Sequence, residues 1–173
     1  AAGHGGRQLT PGQAMTSEAA WLTIANKALA VLLLQSHQRA FGRSLIAIGQ
    51  PNPPQRLISQ ALFSCGFPVL AHGTGDDPKL TYANAAALQL WDSRWSDLIG
   101  MPSRLTAPET ERAERSSALG QAKRHDAVEN YRGIRISRKD RRFMINNAKI
   151  WTLWDGEGQV CGQAASFSTW WWI

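Results

Sequence analysis

The residues of this chain that could do chemistry are scattered rather than gathered. His4, His37, His72 and His125 stand in unrelated contexts, and neither Cys65 nor Cys161 has a second cysteine or a histidine at metal-ligand spacing. That pattern argues against a zinc site or a disulfide framework and for a reducing compartment. Asp76 and Asp77 precede Pro78 in a turn, where carboxylates cap backbone groups more readily than they work as an acid–base pair or hold a metal. His72 closes a short apolar run before Gly73, a place for a hydrogen-bonded structural imidazole. Neither a glycine-rich phosphate loop nor a nucleophile elbow is present. No catalytic residue and no metal ligand is assigned, and the chain is expected not to be an enzyme.

Binding chemistry remains. Gln163 lies in the small-residue run CGQAAS, and small side chains on a strand leave room between a sheet and its cover. A ligand cavity needs mostly apolar walls with a few polar groups. Tyr82, Leu88, Phe143, Ile145 and Trp151 are the candidate walls, and Asn147 (or Asn146) and Gln163 could offer amide hydrogen bonds. The competing reading, which is preferred for the amides, has them satisfying ordinary polar positions on a sheet.

These positions require elements to hold them. The 173 residues, 43% hydrophobic and 18% charged, suit one globular domain. Residues 1–14 read as an appended or disordered leader, 15–66 as an N-terminal helical region and 67–173 as the core. Thr16 or Ser17 caps a helix running to about 41, with Gly42 as its stop. Trp21, Ile24, Ala25, Ala28 and Leu32 recur along it at helical spacing, widened by Leu22, Leu29 and Leu33, so the helix is expected to pack on two surfaces. A short helix over 54–65 follows the loop GQPNPP. Strands over 67–71 and 80–84 flank the turn HGTGDDP, and Asn84 caps the next helix. Thr106 and Glu109 form a capping box for a charged helix over 107–125. Three strands close the chain, over 131–137, 142–154 and 160–170.

Two strands, then helices, then three strands predict an α+β fold: a five-stranded antiparallel sheet with helices on one face. In the middle closing strand Phe143, Ile145, Trp151 and Leu153 share one parity, while Met144, Ala148, Ile150 and Trp154 share the other. Both faces are therefore expected to be covered, the second by the N-terminal helix.

The formal charge is +6 and the sequence pI about 9.9. Arg132, Arg135, Arg138, Lys139, Arg141 and Arg142 gather around one hairpin, but no stacking aromatics alternate with them, so a solvated face is preferred to an acidic partner, and nucleic acid comes last. The longest apolar run, 28–34, falls far short of the roughly 20 residues of a membrane-spanning helix, and a cytoplasmic location is expected. The tail STWWWI is either an interface or a cover for its own sheet.

This order of elements resembles a PAS domain, and DDPKLTYANAAAL resembles the PAS pattern in which a strand ending in Tyr-x-Asn feeds a helix. More narrowly, the chain is identified as a member of the MEKHLA domain family. The matching motifs are LLLQSHQRAFGRSL, AHGTGDDPKLTYANAAALQLW, MPSRLTAPETERAER, YRGIRISRKDRRFMI and IWTLWDGEGQVCGQAASF. The resemblance implies a PAS-like sheet with an additional N-terminal helix, in a sensory, interaction or regulatory module. The small-residue run around Gln163 adds the expectation of a small-molecule pocket, and the apolar first helix with the tryptophan tail that of a homodimer through the N-terminal helix and the outer sheet face. It requires no cofactor. Flavin-binding PAS domains of the light-sensing type carry a cysteine that forms the photoadduct. Here the comparable stretch GMPSRLT has Ser103 at that place and keeps Arg104, which excludes cysteinyl photochemistry. Flavin held without an adduct is the alternative reading. Haem ranks below it, because His125, at the end of the charged helix, has Lys123, Arg124 and Asp126 as neighbours.

Overall fold

The computed structural model describes residues 18–173. The leader over 1–14 and the caps at Thr16 and Ser17 lie outside the described residues. A 3-10 turn at Ala20–Leu22 precedes helix α1 (Ile24–Phe41), which starts where the Thr23 hydroxyl accepts the Asn26 N–H. It stops where Gly42 adopts the left-handed conformation. Helix α2 (Gln55–Ser64) begins after Pro54. Strands β1 (Val69–His72) and β2 (Leu80–Ala83) form the first hairpin, followed by the short helices α3 (Ala85–Leu90) and α4 (Trp95–Leu98). Helix α5 (Arg112–His125) leads into strands β3 (Ala127–Ile136), β4 (Arg142–Trp154), β5 (Val160–Ser166) and β6 (Thr169–Trp172).

The sheet is antiparallel in the order β2-β1-β5-β4-β3, with β6 also pairing β4. It has one strand more than the five expected because the last segment breaks. β5 follows β4 as far as Lys149↔Ser166, the chain steps out at Phe167 and Ser168, and β6 resumes along the same strand from Asn146↔Thr169. The expected capping box is also absent. Thr106 sits in a 3-10 turn (Ser103–Thr106), where its hydroxyl donates to the Ser103 carbonyl, and α5 starts only at Arg112 with no side-chain cap.

Two cores sandwich the sheet. On one face Leu70, Trp91, Leu98, Ile145, Ile150 and Phe167 pack under α3, α4 and α5. On the other, Trp151, Leu153, Val69 and Tyr82 pack under α1 and α2. The face of α1 that meets the sheet is only part of the expected stripe, with Leu33 fully buried and Leu29 and Leu32 packed beside it. Ile24 is 86% exposed and Ala25 and Ala28 also face outward, whereas Ala30, Leu33, Ser36 and His37 are buried. Burial follows the polar partners. The Ser36 hydroxyl accepts the Trp154 N–H, the Trp151 indole donates to the Leu33 carbonyl, and His37 bridges the Arg43 carbonyl and the Lys149 ammonium. Paired polar groups are buried at little cost, so apolar spacing alone misplaced the seam.

Asn84 fixes the corner between α2, β1 and α3. Fully buried, its carbonyl oxygen accepts the Val69 and Ala87 N–H groups, and its amide donates to the Phe67 and Leu62 carbonyls. At the other end of β1 the sheet closes over a glycine. A Cβ on Gly162 would lie 2.2 Å from the His72 carbonyl oxygen, so this contact of β5 with β1 admits no side chain. Gly162→Ala is expected to lower unfolding free energy by about 1–3 kcal/mol or more through overpacking, read from the urea midpoint. An unchanged midpoint would mean that the strands do not approach this closely.

Candidate ligand site

A strand presents alternate residues to opposite faces, and one inserted residue exchanges them. Asn147 makes that insertion in β4. It takes φ 52°, Tyr131 pairs with Ala148, and Gly133 pairs with Ile145, so three steps on β4 answer two on β3. Asn130, at φ 55°, makes the compensating bulge on β3. Asparagine tolerates this left-handed conformation better than most residues. The parity expected for β4 therefore switches in mid-strand. Phe143 and Ile145 join Ala148 and Ile150 on the α5 face, and Trp151 and Leu153 turn to the α1 face.

Between the sheet and α5 lies a cavity of about 50 Å³. Of the nine expected site residues, it is lined by Ile145 and Gln163. Ser103 stands immediately behind the wall, hydrogen-bonded to His72. Tyr82 and Trp151 belong to the opposite core. Phe143 is buried beside Trp91, Trp170 and Trp172. Leu88 borders a surface cleft, Arg104 pairs with Asp77 at the surface, and Asn147 is the exposed bulge.

The polar wall of the cavity is a directional chain. Gln163 pairs across the strands with His72, and its Oε1 can only accept, so His72 carries its proton on Nε2. The Nδ1 of the neutral ring then accepts the Ser103 hydroxyl at 2.8 Å, and the Gln163 amide donates to the Leu119 carbonyl of α5 at 2.9 Å. Burial, then the Arg115 guanidinium, push the His72 pKa down to about 4, which keeps the ring neutral. The Gln163 and His72 side chains thus occupy ordinary satisfied polar positions, with both polar atoms of each side chain bonded.

Two residues that sequence reasoning missed dominate the electrostatics. Arg135, read as part of a solvated basic patch, is only 6% exposed and lines the cavity. Its guanidinium donates to the Ile134 carbonyl and, at 3.4 Å, to the Tyr131 hydroxyl. Gly133 makes room for this arrangement, since a Cβ there would stand 2.6 Å from the Tyr131 hydroxyl. Arg115 of α5 lines the same cavity, and burial followed by the charge of Arg135 pushes its pKa down to about 10. Both had a legible signal. Arg135 shares strand parity with Tyr131 and Gly133, and Arg115 precedes Ala118, Leu119 and Ala122 at helical spacing. Four others of the patch make contacts nearer the surface: Arg132 and Arg141 lie over Trp171 and Trp172, Arg138 meets the Met101 sulfur, and Lys139 pairs with Asp92. Among the described residues no cluster of His, Cys, Asp or Glu could hold a metal.

The family model described as the MEKHLA domain matches residues 27–172. No curated protein matches the chain. Among solved structures, an RNA-binding light-oxygen-voltage receptor aligns at 17% identity and a TM-score of 0.57, over 70% of this chain and 36% of that one. The present chain thus spans about a third of that receptor's length. The PAS domain of a protein from Colwellia psychrerythraea aligns at 9% identity and TM-score 0.57, covering 64% of this chain and 91% of that one. The light-oxygen-voltage domain of a blue-light activated histidine kinase from Erythrobacter litoralis aligns at 18% and 0.51, covering 63% and 97%. At these identities the likeness establishes the fold.

His37, like His72, is buried with its pKa pushed down to about 4, by burial and then by Lys149. Both rings are neutral when folded, whereas the unfolded chain takes up their protons near pH 6.5. Unfolding therefore binds protons between about pH 6.5 and 4. Stability is complete above that window and falls through it on acidification, by on the order of 3 kcal/mol per histidine. Urea unfolding at a series of pH values is expected to show this fall, with a shallower slope in His72→Gln. A flat profile would place the imidazoles in water.

Proposed function

The chain belongs to the MEKHLA domain family and has the fold of PAS domains, and on that footing we propose that it is a non-enzymatic sensory and interaction domain whose inner cavity takes a small molecule. The observation that carries this reading is the hydrogen-bonded path from Ser103 through His72 and Gln163 to the Leu119 carbonyl. It joins the wall of the cavity to the helix that roofs it.

That helix is the element built to move. Of its fourteen residues only Ala118 and Ala122 are buried, so little apolar area holds it down. Two side-chain bonds onto its carbonyls, from Gln163 to Leu119 and from Thr152 to Ala122, supply much of its attachment. A ligand that changes either bond, or fills the space beneath, shifts α5 against a rigid sheet. A molecule acts on this equilibrium only through its different affinity for the two positions.

The partner in this reading is a second copy of the chain. The outer sheet face, expected to meet it, is largely covered by α1 and α2 of the same chain. The tail folds back as β6, yet Trp170, Trp171 and Trp172 remain 37–40% exposed on a strand that pairs, among the described residues, only with β4. Partly exposed tryptophans on a sheet edge suit an interface. No described helix is long and apolar enough to cross a membrane.

Flavin is the alternative occupant. About 50 Å³ lies far below the roughly 300–1,000 Å³ of organic-ligand pockets, and Ser103 is committed to His72, so the residues present do not fit an isoalloxazine. A purified protein without visible absorption is expected, and a flavin spectrum would select the alternative.

Hydrogen exchange is expected to be faster in α5 than in β4, and faster still in α5 of Gln163→Leu. Equal protection of helix and strand would remove the moving part. By sedimentation the chain should be a dimer that Trp171→Glu dissociates, and a monomeric wild type would dispose of the interface.

A further inference from the structure

Resting on the reading of the cavity as a sensing site, we propose that its ligand is a small organic carboxylate, held between the guanidinium groups of Arg115 and Arg135. The cavity holds unmatched donors. Arg135 is almost fully buried and, among the described residues, neither arginine takes part in an ion pair. Arg115 has no hydrogen-bond partner among those residues, and Arg135 has one carbonyl and a long contact to a phenol. The carboxylate next to Arg115 in sequence, Glu114, is engaged by the Tyr131 hydroxyl at 2.7 Å. Trp91, 1% exposed and lining the same cavity, has an indole N–H with no acceptor.

The ring and amide acceptors of His72 and Gln163 are meanwhile engaged. Gln163 Oε1 takes the His72 proton, and His72 Nδ1 takes the Ser103 hydroxyl. What faces the space is cationic and donor-rich, without the anion that a buried Arg135 and a half-buried Arg115 beside it call for. A carboxylate offers two oxygens in the plane that a guanidinium recognises, and it turns the repulsion between the arginines into shared attraction. The rest of the wall is apolar, with Leu119, Ile150 and Phe167 placed to cover a short hydrocarbon chain. A volume of about 50 Å³ selects acids of a few carbons over ring systems.

The test is a titration of the intact chain with acetate, propionate and butyrate at constant ionic strength, against chloride and the matching neutral amides. Melting temperature and tryptophan fluorescence are the readouts. A saturable rise of several degrees with one or more of the acids is expected, with none from chloride or the amides. Arg115→Gln should weaken the response at least tenfold, and Arg135→Gln serves as the second variant if the first does not fold. Circular dichroism establishes folding in each. Equal responses to acids and amides, or an undiminished response in a folded arginine variant, overturn the carboxylate but leave a cavity that binds. No response to either class overturns the carboxylate. If Leu119→Trp, which fills the space, also leaves α5 exchange unchanged, the sensing reading falls with it.

Discussion

Everything at the site depends on a strand that changes face. A β-strand of thirteen residues with strict alternation would send Ile145 and Ile150 to opposite sides of the sheet. The bulge at Asn147 brings them together, and the compensating bulge at Asn130 lets β3 keep pace. The same step ends β5 and starts β6 further along the same edge of β4. One backbone irregularity thus aligns the floor of the cavity, delivers Trp151 to the opposite core and opens the place where the terminal strand docks.

Onto that floor the fold sets two kinds of polar chemistry with opposite characters. On the α1 side, Ser36, His37, Lys149 and the Trp151 indole are paired, which makes α1 a fixed wall. On the α5 side the hydrogen-bond chain is complete, but the two arginines and the Trp91 indole beside it are short of acceptors. The α1 side keeps one buried group without a partner among the described residues, the Tyr82 hydroxyl, but the cations short of acceptors lie on the α5 side. The side with the unpaired cations is also the side roofed by α5, of whose residues only Ala118 and Ala122 are buried.

Much of this architecture was legible in the sequence. The order of elements, the antiparallel sheet, the covering of both faces and the Asn84 cap all follow from turn residues, capping chemistry and apolar runs. The cavity was legible only in part. Ile145 and Gln163 line it, as small and apolar residues on closing strands suggest, but Trp151 and Phe143 were placed by a parity that holds only in an unbroken strand. Nothing in a run such as MINNAKI states which asparagine will turn left-handed, since that follows from pairing with a distant strand. Arg115 and Arg135 were missed for another reason. Charge argues for solvent unless the periodicity of its own element is given precedence, and here periodicity was the better guide. On α1 the reverse applied, because Ser36 and His37 are buried through partners that are far away in sequence.

Asn84 carries an implication for how this fold tolerates divergence. Its side chain serves two backbone donors and two backbone acceptors at a dry junction. Aspartate has the same shape but would confront the Leu62 and Phe67 carbonyls with a second oxygen, and glutamine would overreach by a methylene. Among the described residues no other side chain could take over those four bonds without moving the backbone at the junction. For the same reason, slow chemical loss of the amide nitrogen as the protein ages would strike the fold at a point where no neighbour can compensate.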